Sequence, residues 1–453
     1  MRTIRPRWRS LIALSVAVAV LAVPAVAIGC AGPSATTTTT TTPPPTTTTT
    51  APLGTVEVLG VWSGEELDSF NAMVAPWQQQ TGGKVEFTGT RDLPAVLNTR
   101  VQSGTPPDIA ILPNPGQMNQ FAKAGNLKAL SDFLDMTKIN QDYAKGWVDL
   151  GTVNGKLYAI FIKAADKGCI WYNPKTFTAN SWTIPKTWDE LIALSDKIVA
   201  DKKVPPAPWS IGVESGAASG WPATDWMAQI LLNKYGGTVY DQLVSHQIAW
   251  TDPKIKDVWE QFGKIVFTEG YVPGGATAVL ATNFQDASYL PFDTPSKAAM
   301  YYEGDFVQGF IKNQFPSLAV GTDYAFFPFP TIDAQYAGAV TGGADLVVAF
   351  KDTPTVRSFV AYMASAPAQD IWVKRGGFTS VNKQVSLDDY PDAIAKAAAQ
   401  QLASAPLFRF GAGDSMPSAV QTAWWQGVLQ YLQDPTKLDS ALAQIEALAK
   451  TSY

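Results

Sequence analysis

At 453 residues the chain is too long for one ordinary hydrophobic core, so two domains are the starting expectation. Its composition, 46% hydrophobic and 16% charged with 15 Trp, 15 Tyr and 21 Phe, is that of a soluble globular protein with a heavy aromatic load. The net charge is −5 and falls further once Arg2, Arg5, Arg7 and Arg9 of the first segment are set aside. That acidity argues against a nucleic-acid partner, whose phosphates need clustered Lys and Arg.

In chain order, those four arginines precede an apolar run from Leu11 to Ile28, the pattern of an export signal. The following "AIGC", ending at Cys30, resembles the lipobox of bacterial lipoproteins, although Ala27 stands where that family usually has Leu. The resemblance implies a signal peptide over 1–29 and a lipid on Cys30. The competing reading is an uncleaved anchor, since the run is long enough to span a bilayer. Either way the body is expected at the outer face of the cytoplasmic membrane. Residues 30–52 then form a Thr/Pro-rich tether that has nothing to bury. In a polyproline-like state the 20 residues from Pro33 to Pro52 reach about 60 Å at about 3.1 Å each.

The folded body starts at Leu53. "TVEVLGVW" reads as a buried strand, followed by a helix over Glu65–Gln80 with Leu67, Phe70, Val74 and Trp77 on one face. Pro76 is expected to kink its last turn. "KVEFTGT" is a second strand, "DLPAVLNTRVQSG" a short helix stopped by Gly104, and "PPDIAILP" a strand with the continuous apolar run of a sheet covered on both faces. Asp108 is expected to fix the end of that strand. This β-α-β-α-β order is the first half of a doubly wound domain, in which ligands bind beyond the strand carboxyl ends, here Trp62–Glu66 and Pro113–Gly116. Further on, Thr187 and Glu190 form a capping box for a helix carrying Leu191, Leu194 and Ile198. The last two helices are "SAVQTAWWQGVLQYL" and "KLDSALAQIEALAK".

Catalytic and metal chemistry find little footing. Cys30 and Cys169 are the two cysteines and His246 is the one histidine. Nucleophilic triads need a histidine held by a third group, and zinc usually needs several His or Cys ligands. Cys169 reads as a core residue and His246 as a surface or loop residue. No phosphate-binding glycine loop and no cofactor signature is present.

Several motifs in order, from about Leu53 to Lys450, resemble the extracellular sugar-binding proteins (family 1) that serve ABC importers. They are "SGTPPDIAILPNPGQMNQFAKAGNLKAL", "GKLYAIFIKAADKGCIWYNPKTF", "PKTWDELIALSDKI", "SKAAMYYEGDF", "GGADLVVAF" and "ASAPAQDIWVKRGGFTSVNK". "ESGAASGWPATDW" resembles the α-glucoside-binding branch in particular. The resemblance implies an α/β fold of periplasmic-binding-protein type, with two lobes, an interlobe cleft and three crossing strands. By motif order the lobes are 53–163 plus 342–378, and 164–341 plus 379–453. It further implies a monomer without cofactor or metal that binds an α-glucoside or other small oligosaccharide by hinge closure and delivers it to permease subunits. A lipid-anchored glycoside hydrolase, which needs two carboxylates about one bond, is the alternative. A structural envelope lipoprotein would leave the cleft motifs unexplained.

Site residues carry over position by position. Sugars present hydroxyl edges, met by charged partners that make the stronger hydrogen bonds, and C–H faces, met by flat aromatics. Trp221 and Asp225 in "SGWPATDW" offer both, while Trp226 starts an apolar helix face and is expected in the core. Glu65 and Glu66 follow the first strand, where maltose-type binders place polar contacts. Asn114 stands in "PNPG" where relatives use Asp or Trp. Asp166 matches a contacting Glu. Phe306 matches a stacking Trp, with Asp305 beside it. Gly342 and Gly343 admit close backbone approach. Trp425 matches another stacking Trp and has Trp424 as its rival, because neighbours on a helix cannot both face the cleft.

Overall fold

In the computed structural model the described residues are 52–453. The residues 1–29 read above as a signal peptide, Cys30 and the Thr/Pro-rich stretch up to Ala51 lie outside them.

The first three strands are Thr55–Gly60, Lys84–Gly89 and Ile109–Leu112. They pair in parallel with the first strand in the middle, and the helices Gly64–Thr81 and Leu93–Gln102 connect them. Asp108 does fix the sheet here: its Oδ2 accepts from the Glu57 backbone N–H at 2.8 Å. The helix runs through Pro76 to Thr81 and ends on Gly82 at φ 68°. Proline removes one backbone donor, and buried Val74 and Trp77 on either side hold the turn against the core.

The sheet grows to seven strands by antiparallel additions. Ala339–Ala349 pairs with Ile109–Leu112, and Ala159–Asp166 pairs with Ala339–Ala349. Thr379–Ser380 closes that edge, and Leu407–Phe410 runs parallel to the first half of Ala339–Ala349. Every residue of Ala159–Asp166 and of Ala339–Ala349 is buried, as expected of central strands covered on both faces. The charged side chains inside these runs, Lys163, Asp166 and Asp345, are therefore the anomalies.

A second, four-stranded sheet is built from Ala325–Pro328, Cys169–Tyr172, Met300–Tyr302 and Trp209–Ser210. Its helices include Trp221–Val244, which bends at Gly236 where φ is 75°, Pro253–Phe267, Ser418–Gln433 and Leu438–Ala449. The capping box at Thr187 and Glu190 opens the helix Trp188–Asp201.

Two hydrophobic cores follow from the two sheets. One gathers Val58, Phe70, Ile111, Ile162, Leu346 and Trp372, the other Trp209, Trp226, Ile230, Phe262, Trp424 and Leu442. Cys169 is fully buried in a smaller cluster beside the second. The chain passes between the sheets three times: from Asp166 to Cys169, from Pro328 to Ala339, and from Phe410 to Ala412. Motif order put 379–453 wholly with the second lobe, yet Tyr390, Ala395, Ala399 and Phe410 pack into the first core. The last crossing comes only after Leu407–Phe410, because that strand is paired into the first sheet.

Candidate functional site

A cleft of about 160 Å³ lies between the two cores. Its walls come from three places: the loops after the first-sheet strands, the crossing strand at residues 163–167, and the helix starts of the second lobe.

The first-lobe wall is ionic. Glu66 opens the helix Gly64–Thr81, and its Oε1 lies 2.9 Å from Lys163 Nζ. Lys163 also faces Asp345 at 3.7 Å, and Asp345 Oδ2 accepts from the buried Trp62 indole N–H at 3.0 Å. Burial pulls the Lys163 ammonium down, but Glu66 and Asp345 outweigh it and hold the group above the ordinary lysine value. Arg91 and Asn114 complete this wall. Asn114 donates to Gln421 Oε1 at 3.0 Å, and its own Oδ1 is buried without a partner.

The second-lobe wall is aromatic as well as acidic. Trp221 and Trp425 line the cleft, with Phe284 and Phe306 beside them. Trp221 meets Phe284 edge-on at 5.0 Å and Phe306 at 6.3 Å. Lys167 rises from the floor to Asp225 at 2.7 Å and Asp414 at 3.5 Å, under the Trp221 ring at 5.5 Å. Burial alone would depress Lys167, yet Asp225, Asp414 and Glu303 hold it above its ordinary value. The same burial, against the pull of Lys167, lifts Asp414 to about 6. Behind Asp225, burial and then the Asp225 charge push the Glu303 carboxyl well above its usual range.

Of the residues that sequence singled out, Glu66, Asn114, Trp221, Asp225, Phe306, Gly343 and Trp425 line this cleft. Glu65, Asp166, Asp305 and Gly342 do not. Glu65 turns away to the helix Val307–Gln314, its Oε2 lying 3.9 Å from where a Gly309 Cβ would stand. Burial raises its pKa against the nearby Lys312 and Arg375 charges. Asp166 is fully buried behind the floor, accepting from the Gly168 N–H at 2.8 Å and from Gln401 at 3.3 Å. Asp305 accepts from Thr379 at 2.7 Å, and burial lifts it to about 6. Gly342 backs onto Phe408 and Ala165 rather than the cleft. Trp226 and Trp424 are in the core at 1% and 2% exposure. His246 sits after the long helix, 3.1 Å from Glu446, outside the cleft lining.

Sequence reading missed Arg91, Lys163, Lys167, Asp345, Asp414 and Gln421. A signal existed for some: Lys163 and Asp345 are charges inside otherwise apolar strand runs and Lys167 follows one directly, and a buried charge needs a partner. Among the described residues no cluster of three or more His, Cys, Asp or Glu is arranged to hold a metal ion, and no helix is long and apolar enough to cross a membrane.

A family model described as bacterial extracellular solute-binding protein matches residues 62–370. The osmoprotective compounds-binding protein GgtB of Synechocystis sp. is 34% identical over 378 residues, covering 83% of this chain and 88% of the relative. The alpha-glucosides-binding periplasmic protein AglE of Rhizobium meliloti is 33% identical over 398 residues, covering 85% of each. Among solved structures, the bacterial solute receptor AcbH superposes with a TM-score of 0.76 at 19% identity, over 88% of this chain and 99% of that one. Maltose-bound MalE3 of T. maritima gives 0.72 at 18% identity, over 88% and 100%. These two likenesses are of fold.

Proposed function

The chain belongs to the bacterial extracellular solute-binding proteins, and from that premise we propose that it captures an α-glucoside or a similar small oligosaccharide in the cleft and hands it to an ABC permease. Members of the family bind substrate for ABC importers and are not enzymes, so the glycoside hydrolase alternative falls. The observation that carries the sugar reading is the asymmetry of the cleft. Half-buried Trp221 and Trp425 on one wall offer apolar faces for C–H surfaces. Glu66, Asp225, Asp345 and Asp414 offer acceptors for hydroxyl groups. A relative named for α-glucosides and another named for osmoprotective compounds support a ligand of this kind.

The charge pattern favours a neutral ligand. Lys163 and Lys167 each already face two carboxylates. Arg91 lines the cleft without an ion pair among the described residues. With four carboxylates at the cleft against three cations, an added anion would still meet more acidic than basic neighbours at close range, which is costly in a buried site. The binding mechanism is hinge closure about the three crossings. A ligand drives closure only as far as it binds the closed arrangement better than the open one. Calorimetric titration with maltose, trehalose, sucrose and glucosylglycerol tests this, with glucose 6-phosphate as the anionic control. Saturable heat with a neutral glucoside and none with the phosphate is expected. Binding of the phosphate alone would overturn the reading.

The remaining part of the proposal concerns place. Cys30 carries the lipid, 30–52 is the tether, and the receptor works as a monomer at the outer face of the cytoplasmic membrane. Cys30→Ser should release the protein from the membrane fraction. Retention with normal processing would sink the lipoprotein assignment.

A further inference from the structure

The two lobes touch closely at Gly116, at the end of the stretch 113–116. The helix Pro115–Lys123 starts at the edge of the cleft and packs Met118 and Phe121 into the first core. Opposite it, the segment Ala412–Ser415 leads to Met416, whose side chain is buried in the second core. Between them stands Gly116. A methyl group built on its Cα would run into the backbone oxygen of Met416, well inside van der Waals contact, and would come within 3.2 Å of that of Asp414. Neither obstacle is the mobile end of a side chain, so only a shift of one lobe against the other could relieve the clash.

Gly116 is not needed for its own backbone. It is absent from the positive-φ glycines of the chain and lies in the first turn of a regular helix, where alanine is the better helix former. The reason for a glycine is therefore the neighbouring lobe. Two polar bonds flank the contact. Asn114 donates to Gln421 at 3.0 Å, and Ser418 donates to Gln120 Oε1 at 3.0 Å. Gln421 in turn donates to Asp414 Oδ1 at 2.8 Å, and Asp414 faces Lys167 on the cleft floor. The contact is thus joined to the floor of the cleft by a short polar chain. Asn114 is 2% exposed, lines the cleft, and keeps its Oδ1 buried without a partner.

We propose that Gly116 is a closure-determining residue: its missing side chain lets the Met416 carbonyl dock and the Asn114–Gln421 bond form, and the lobes shut over the ligand only when this clasp is made. The proposal rests on the reading of the cleft as a sugar site. Its consequence is a separation of affinity from stability. Gly116→Ala burdens the closed arrangement alone, because in an open one the methyl group meets no opposing lobe.

The test uses the full chain and its Gly116→Ala variant. Gly146→Ala is the control, since an added methyl there meets nothing within 4 Å. Each is titrated calorimetrically with maltose, trehalose and sucrose, scanned for its ligand-free thermal midpoint, and measured by X-ray scattering with and without saturating sugar. Gly116→Ala is expected to keep or raise the ligand-free midpoint, bind about 30-fold more weakly, and contract less on saturation than the wild type. Gly146→Ala should bind and contract as the wild type does. Wild-type affinity and contraction in Gly116→Ala would overturn the clasp while leaving the sugar site standing. A lowered ligand-free midpoint with unchanged affinity would likewise overturn it, by making Gly116 a folding residue. A wild type that binds none of the three sugars and does not contract would remove the sugar reading and the clasp with it.

Discussion

The two walls of the cleft are built on the same plan and finished differently. Each centres on a buried lysine held by two carboxylates: Lys163 by Glu66 and Asp345, Lys167 by Asp225 and Asp414. On the first wall the tryptophan, Trp62, is 1% exposed and spends its N–H on Asp345. On the second, Trp221 and Trp425 remain half-buried with ring surface at the cleft. The difference separates two tasks. The first wall is a rigid polar edge, and its aromatic side chain is support. On the function proposed above, the second wall supplies the faces on which a sugar ring stacks.

The comparison can be broken first at the lysines. Lys167→Met leaves Asp225, Asp414 and Glu303 without their cation, and losing one partner of a buried ionic cluster costs about 3–5 kcal/mol. Lys163→Met leaves Glu66 and Asp345, but Asp345 keeps the Trp62 N–H, so the loss should fall below that of Lys167→Met. Chemical denaturation of both variants reads this. Equal or reversed losses would mean that the two lysine clusters are not distinguished by the indole bond.

Next come the tryptophans of the second wall. Trp221→Ala should weaken sugar binding by about 2–4 kcal/mol, the scale of an interface hot spot, with the denaturation curve little changed. Trp226→Ala, five residues on and packed against Trp209 and Tyr302 at 5.1 and 4.5 Å, should instead lose about 3–5 kcal/mol of stability. If Trp221→Ala unfolds early and its folded fraction binds sugar normally, the second wall is structural too. A smaller effect is expected on the first wall. Glu66→Gln keeps the shape but weakens a charged acceptor, and the affinity loss should be about 1.5–3 kcal/mol.

The smallest expected effect, taken per group and per pH unit, is a slope. Burial lifts Asp414 and Asp305 from 3.8 to about 6. Between these values the unfolded chain has released both protons while the folded chain still holds them, so stability falls as pH rises through that window. Each group contributes at most about 1.4 kcal/mol per pH unit. These two groups therefore pull the thermal midpoint down from pH 4 to pH 6, against carboxylates such as Asp257 and Glu446, which, despite burial, hydrogen bonds hold below their ordinary value. Asp414→Asn should raise the pH 6 midpoint relative to that at pH 4. An unchanged slope in that variant would remove Asp414 from the account.

Much of the fold was legible because local patterns and tertiary demands agree. The parallel strand Ile109–Leu112 carries a continuous apolar run because both its faces are covered. Thr187 and Glu190 cap their helix with groups that lie within four residues of each other. Gly82 ends the first long helix because a left-handed residue there costs glycine nothing. Such features need no knowledge of distant parts of the chain. The same holds for Cys169, whose burial follows from the apolar strand that contains it.

The sequence by itself put both members of three neighbouring pairs at the site, Glu65 with Glu66, Asp305 with Phe306 and Gly342 with Gly343, and weighed only Trp424 against Trp425. Only the tertiary structure chose within each, bringing Glu66, Phe306, Gly343 and Trp425 to the cleft. The reason is geometric. Adjacent side chains point to opposite faces of a strand and about 100° apart on a helix, so the side chains of Trp424 and Trp425 turn to different surroundings. The same parity sends Lys163, Ala165 and Lys167 to the cleft and Asp166 behind it. Gln421 and Asp414 meet Asn114 and Lys167 across separations of hundreds of residues, and no periodicity encodes a contact that exists only when the lobes come together.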